Sequence, residues 1–244
     1  MATCLNDADA EREETDPGAA PFGNFINYYT FNPPENRLGL IPASLLQELG
    51  FRSEEPTLIL DVGCNSGELS VALYNHLVPG DQRRRIHLLG FDLDEVLIER
   101  AQQNNPLQSH ITFIPLDITN NTEQLQDYLH LHGSSHFHLT LCLAVTMWVH
   151  LNHGDSGLLQ LLTSLASISH FLLLEAQPWK CYRSAARRLR KLGRTDFDHF
   201  KTLEIKGDIA GHAKEHLEGH CGMELTHSFG NTTWDRKLLL FKKR

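Results

Sequence analysis

The ten residues TMWVHLNHGD, Thr146 to Asp155, concentrate side chains able to do chemistry, with His150 and His153 three apart and Asp155 close behind. That spacing suits a metal site, the packed start of a helix, or one wall of a reaction centre. A catalytic zinc needs three well-aimed ligands with supporting partners, and the chain shows no such partner, so no metal is expected. A second stretch, DVGCNSG at Asp61 to Gly67, carries only two glycines. It lacks the middle glycine that lets a pyrophosphate approach a dinucleotide-binding turn, and it lacks the lysine of a triphosphate loop. Asp61 and Asn65 instead offer polar partners for a ligand bearing an ammonium and a carboxylate. Asp92 and Asp117 close the next two apolar runs, placed to hold ribose hydroxyls and an adenine amino group.

Those residues need a scaffold, and the surrounding pattern supplies one. TLILDV is an apolar run followed by the glycine turn and a helix-like ELSVALYNHL. IHLLGFD, ITFIPLD, FHLTLCLAV and HFLLLEA repeat the strand signal, with helical segments between them, and Asp94 is placed to cap the second helix. Alternation of this kind predicts a parallel sheet with helices on both faces. MELTHSFGN and KLLLFKK, separated by NTTWDR, predict an antiparallel hairpin at the sheet edge. Upstream, LGLIPASLLQEL predicts a short helix ended by Gly50. The organisation expected is an acidic disordered tail over residues 1–20, a cap and lid segment over 21–56, and a Rossmann-like core over 57–244.

With 244 residues and 41% hydrophobic content, the chain fits one globular α/β domain. Its most apolar stretch, Leu158 to Leu174, is broken by Thr163, Ser164, Ser167, Ser169 and His170, so no membrane span is expected. The polar, acidic start predicts no secretory signal, and five scattered cysteines without a C-x-x-C pair fit reduced thiols. A cytoplasmic or nuclear monomer is the expectation. A net charge of −8 repels nucleic acid, so RNA contact has to come from a local patch. RSAARRLRKLGR, Arg183 to Arg194, is such a patch: cations on one face, Ala185, Ala186, Leu189 and Leu192 on the other. It reads equally as a solvated amphipathic helix.

The acids at three strand ends, the glycine turn and the terminal hairpin resemble the S-adenosylmethionine site of seven-stranded methyltransferases. FGNFINYY at Phe22 to Tyr29, Arg37, DVGCNSG, WVHLN at Trp148 to Asn152, and EAQPW at Glu175 to Trp179 narrow this further. Together they resemble the bicoid-interacting RNA 5′-phosphate methyltransferases, from about Phe22 to the C-terminus. The resemblance is to the branch acting on 5′-monophosphates. The branch that caps a γ-phosphate carries cations where this chain has Asn32 and Met147, and a triphosphate end carries more negative charge. Ala176 stands where the family usually has proline, altering a turn.

The resemblance implies a cofactor site in which Arg37 pairs with the methionine carboxylate and Gly63 and Asn65 line the amino-acid end. Asp92 binds ribose, Asp117, Ile118 and Leu143 surround adenine, and Tyr29 closes over the cofactor. Asn24, Tyr28, Thr146 and His150 are expected to aim the acceptor phosphate, with Trp148 or Trp179 under the terminal base. Lys180, Arg183, Arg187 and Lys191 are expected to contact RNA backbone. The partner implied is an RNA with a 5′-monophosphate end, such as histidine transfer RNA or precursor microRNAs. Rival readings are a triphosphate-capping enzyme, a small-molecule or protein methyltransferase, and an RNA-binding module without catalysis.

Overall fold

The computed structural model describes residues 20–51, 56–78, 85–120 and 122–244. Apart from Ala20, the tail expected over residues 1–20 lies outside the described residues. Among the described residues, three one-turn helices precede the first strand: α1 (Tyr28–Phe31), α2 (Glu35–Leu38) and α3 (Leu45–Glu48). The single helix expected from Leu38 to Leu49 is thus shortened to α3. Pro42 disfavours helical geometry at Ile41 before it, while Gly50, at φ +82°, ends the turn as expected.

The core then runs β1 (Thr57–Val62), α4 (Glu68–Leu77), β2 (Ile86–Asp92), α5 (Glu95–Gln103), β3 (Ile111–Pro115), α6 (Glu123–Leu131), β4 (Phe137–Leu143) and α7 (Thr146–Ser167). It continues with β5 (Ser169–Glu175), α8 (Trp179–Lys191), α9 (Ile209–His220), β6 (Met223–Asn231) and β7 (Lys237–Lys243). The strands form one seven-stranded sheet in the order β3-β2-β1-β4-β5-β7-β6. β1 to β5 pair in parallel, and β7 runs antiparallel to both β5 and β6. This is the expected Rossmann-like α/β sheet with its edge hairpin.

Alternation along β1 shows why the run TLILDV has apolar residues pointing to both faces. Leu58, Leu60 and Val62 join the layer formed with α6, α7, α8 and α9, while Ile59 joins the opposite layer with α3, α4 and α5. A strand covered on both faces has no polar side to display, and each buried leucine contributes about 1.5–3 kcal/mol relative to exposure. Helix α9 was absent from the sequence expectation. IAGHAKEHLEGH contains Gly211 and Gly219, each costing a helix about 1 kcal/mol, yet Ile209, Ala213 and Leu217 are buried, and packing decides its state.

Two boundaries differ from the sequence pattern. β3 ends at Pro115, so Asp117 sits two residues past the strand. The helix expected from Gly157 begins at Thr146 instead, as two segments joined at Gly154, whose backbone is non-helical at φ +70° and ψ −172°. Asp94 does cap its helix, accepting from the Val96 and Leu97 amides.

Candidate active site

β1 has β2 on one side and β4 on the other, so the connections from β1 to β2 and from β3 to β4 run in opposite directions across the sheet. Val62 is level with Phe91 on β2 and Cys142 on β4. A crevice opens outside the carboxyl ends of strands at such a switch point. Here it holds a cavity of about 650 Å³. Tyr29, Asp61, Gly63, Asn65, Asp92, Asp117, Ile118 and Leu143 all line it, so the structure brings together every expected cofactor residue except Arg37.

The turn after β1 is shaped for close approach. Gly63 sits at φ +70°, and a Cβ there would meet Val145 Cγ2 at 2.6 Å. Asn65 is itself left-handed at φ 51°, and its side chain donates to the Phe25 carbonyl at 3.0 Å, tying the N-terminal segment to the turn. The Asp92 carboxylate accepts from the Asn65 and Asp94 amides at 2.9 and 3.1 Å. Asn24 donates to Asp94 at 2.8 Å, while its own Oδ1 is buried without a partner. Tyr29 donates to the Cys64 carbonyl at 3.1 Å, and burial holds its hydroxyl well above the usual range. Asp117 already accepts from the Thr119 amide and hydroxyl and from Asn120.

Asp61 is buried on the floor of this cavity. Burial pushes its carboxyl up to about 7, against the pull of the Ser70 hydrogen bond and of Arg37, while Asp92 adds to the rise. Burial likewise raises Asp92, opposed by the amides it accepts.

A second cavity of about 570 Å³ adjoins the first, and Tyr28, Ala144 and Trp148 line both. The two differ in charge. Among the described residues, Asp61, Asp92, Asp94 and Asp117 line the first with no lysine or arginine, whereas Lys180, Arg188 and Arg236 line the second with no carboxylate. The shared wall is strained: Ala144 is left-handed at φ 62°, a conformation costing about 1–2 kcal/mol. It is held by its amide on the Glu175 carbonyl and by Gln177 donating to its carbonyl.

Behind that wall lies a buried ion cluster. Arg37 is fully buried and forks onto Glu175, with Nε at 2.5 Å and Nη2 at 3.0 Å. Arg236 Nη1 reaches the same carboxylate at 2.9 Å. Arg37 Nη2 also donates to the Tyr28 hydroxyl at 3.0 Å, and Nη1 is buried without a partner. Both guanidiniums lie near the Trp234 ring, 5.1 and 5.4 Å from its centroid.

The acceptor-site expectations divide. Tyr28 lies between the cavities, and Asn24 lines the first. Thr146 and His150 are corrected: both are fully buried and line neither cavity. Thr146 donates to Gln177, and His150 engages the Tyr182 hydroxyl at 3.0 Å and Asp155 at 2.7 Å. Burial lowers the His150 pKa, opposed by Asp155. Both ring nitrogens are used, and Asp155 also accepts from the Glu204 and Ile205 amides, so the pair staples the α7 kink to the loop between α8 and α9. Among the described residues, no group of three histidine, cysteine or acidic side chains is arranged to hold a metal. No described helix is long and apolar enough to cross a membrane.

Trp179 is stacked between Tyr182 and Phe200 and lines neither cavity, whereas Trp148 lines both. Lys180 reaches the second cavity, but Arg183, Arg187 and Lys191 stand on the exposed face of α8. Arg188 lines the cavity instead, one turn on from Ser184 and two from Lys180, with its guanidinium 5.2 Å from the Phe25 ring centroid. Sequence reasoning assigned no role to Arg236, Trp234, Glu175 or Gln177. A tryptophan and an arginine inside the polar turn NTTWDR were the signal available.

Similarity to known proteins agrees with this geometry. Residues 137–243 match the model of the Bicoid-interacting protein 3 (Bin3) family. The chain is 63% identical to the pre-miRNA 5′-monophosphate methyltransferase of Danio rerio, over 98% of this chain and 99% of that protein. It is 50% identical to the RNA 5′-monophosphate methyltransferase of Homo sapiens, over 97% of this chain and 85% of that one. Among solved structures it resembles magnesium protoporphyrin IX methyltransferase from Synechocystis with bound SAH. That match has a TM-score of 0.54 and 17% identity, covering 98% of this chain and 94% of the other. The fold is thus that of class I S-adenosylmethionine-dependent methyltransferases, and by its sequence the chain belongs to the Bicoid-interacting protein 3 family.

Proposed function

We propose that this protein transfers a methyl group from S-adenosylmethionine to the 5′-monophosphate of an RNA. The observation that carries the reading is the pair of adjoining cavities of opposite charge. An acidic one suits a ligand with an ammonium, a sulfonium and a ribose diol, and a basic one suits a phosphate. The names of the similar proteins support methyl transfer to the same acceptor.

The residues fit such a cofactor. The unpartnered Asn24 Oδ1 and the Asp92 carboxylate at the end of β2 match a ligand rich in donors. Asp61 and Asn65 would hold the amino-acid end, Asp92 the ribose, and Ile118, Leu143 and Asp117 the adenine. Arg37 is fully buried on Glu175 and lines neither cavity, so the expected pairing with the methionine carboxylate is replaced by a supporting role behind the site, where it holds the Tyr28 oxygen. Bound in the acidic cavity, S-adenosylmethionine supplies an electrophilic methyl group on a sulfonium.

The chain's task is then positioning. A phosphate monoester has its second pKa near about 6, so it is already anionic at neutral pH and needs no general base. Because Arg37 donates to the Tyr28 oxygen, the hydroxyl hydrogen of Tyr28 is left to donate towards the acceptor. It does so at the wall common to both cavities, where alignment lowers the barrier most. Asn32 and Met147, the two positions where the capping branch carries cations, both line the basic cavity. Their neutrality favours a single phosphate.

One RNA prepared with a 5′-monophosphate, a triphosphate or a hydroxyl tests this reading, using labelled S-adenosylmethionine. Transfer is expected to the monophosphate, and Met147→Lys is expected to raise use of the triphosphate. Transfer to the hydroxyl form, or equal transfer to monophosphate and triphosphate by the wild type, would sink it.

A pH dependence follows from Asp61. In the free protein its carboxyl titrates near 7, and pairing with an ammonium requires the ionised form. Affinity for S-adenosylhomocysteine should therefore be full above pH 7 and fall with acidification, approaching tenfold per pH unit, with proton release on binding. In the ligand-free fold the sign is opposite. A raised carboxyl stabilises below its unfolded pKa near about 4, and that contribution is lost as pH rises towards 7. Calorimetry in buffers of different ionisation enthalpy measures the released proton. Equal affinity at pH 6 and pH 8 would exclude Asp61 from the ammonium site.

A further inference from the structure

The turn between β6 and β7 is built more firmly than a hairpin needs. Asp235 adopts a left-handed φ of 60°, and its amide donates to the Thr232 carbonyl at 2.8 Å. The Thr232 amide donates to the Arg236 carbonyl at 2.9 Å, and Asn231 donates to Asp235 at 3.0 Å. This geometry turns Trp234 and Arg236 inward onto the basic cavity, while Asp235 faces outward to Lys180.

Arg236 is held at two sides. Its Nη1 is anchored on Glu175 and its guanidinium faces the Trp234 ring, yet Nε is buried without a partner. Charge at this spot does not balance. Glu175 carries one negative charge against the two positive charges of Arg37 and Arg236, which leaves an excess of one cation in a water-poor place. An anion is the natural complement, because a fixed, planar guanidinium presents paired donors to phosphate oxygens.

We propose that Arg236 binds the non-bridging oxygens of the acceptor's terminal phosphate, acting as a positioning and specificity residue. The proposal rests on reading the basic cavity as the acceptor site. The pairing with Glu175 serves it in two ways. It fixes the fork before the substrate arrives, and it offsets half of the local positive charge, so the site holds one phosphate without trapping it. Lys180, paired with Asp235, and Arg188 line the same cavity and would follow the RNA strand beyond its end.

The test compares binding of one short RNA hairpin with a 5′-monophosphate and with a 5′-hydroxyl, by wild type, Arg236→Gln and Arg236→Lys. In the wild type, the phosphate is expected to tighten binding by tenfold or more. In Arg236→Gln that increment should vanish, with affinity for the hydroxyl RNA and for S-adenosylhomocysteine within about twofold of wild type. Arg236→Lys keeps a charge beside Glu175 and should retain part of the increment, and it carries the test if the glutamine variant does not fold. A merely structural role would weaken both RNAs equally, leaving the phosphate increment intact, and that result overturns the proposal. Absence of any phosphate increment in the wild type would instead overturn the acceptor-site reading on which it rests.

Discussion

Glu175→Ala is expected to cost about 3–5 kcal/mol of folding stability, because it strands two guanidiniums that share one carboxylate inside the protein. Glu175 and Arg37 are both fully buried, and Arg236 is largely so. Neither arginine can shed its proton near neutral pH, so each keeps its desolvation cost once the carboxylate is gone. Glu175→Gln keeps the shape and an acceptor and should lose less than the alanine variant. Urea unfolding followed by circular dichroism measures both. If the alanine variant unfolds within about 1 kcal/mol of wild type, the cluster is wetter than its burial indicates. The effect also reaches the site, since Arg37, which the Glu175 carboxylate holds, orients Tyr28.

The second large effect falls on the cofactor site. Asp92→Ala should weaken S-adenosylhomocysteine binding by about 100-fold or more. Two hydrogen bonds to an ionised group are worth about 3 kcal/mol together at the low end, and each 1.4 kcal/mol is tenfold in affinity. The carboxylate also accepts from the Asn65 and Asp94 amides, so its removal loosens the turn as well as the proposed ribose contact. Asp92→Asn, which keeps an oxygen for one of those amides, should fall between. Titration calorimetry, with thermal unfolding as the control for folding, separates the two contributions. A loss below fivefold in a folded alanine variant would show that the ribose is held elsewhere.

The fold was legible because its signals are local. The apolar run Leu58 to Leu60 with Val62 at β1, a glycine turn, and an amphipathic helix after it each state their own conformation, and repetition of the unit dictates a parallel sheet. The acids that end β1 and β2 were legible for the same reason: a strand end at a switch point has one place to go. Asp117 was displaced by two residues because Pro115 ends the strand, without leaving the cavity.

The stretch TMWVHLNHGD shows where that reasoning stops. Its polarity was visible, but whether a polar side chain faces a cavity or a neighbour depends on helix rotation and on elements far along the chain. His150 turns away from the site because Tyr182 on α8 and Asp155 beyond the Gly154 kink satisfy both its ring nitrogens. The basic helix poses the same question, and packing answered it by aiming Arg188 at the cavity and leaving Arg187 outside.

Composition and periodicity alone thus establish the alternation of strand and helix through β5, the parallel sheet with its edge hairpin, and the acidic residues at the strand ends, because each depends on neighbours within a few positions. The basic cavity, the strained wall at Ala144 and the shared carboxylate of Glu175 depend on partners brought together from distant segments, Arg37 lying 138 positions from Glu175. Pairwise contacts at that separation leave no periodic trace in the chain, and folding alone selects them.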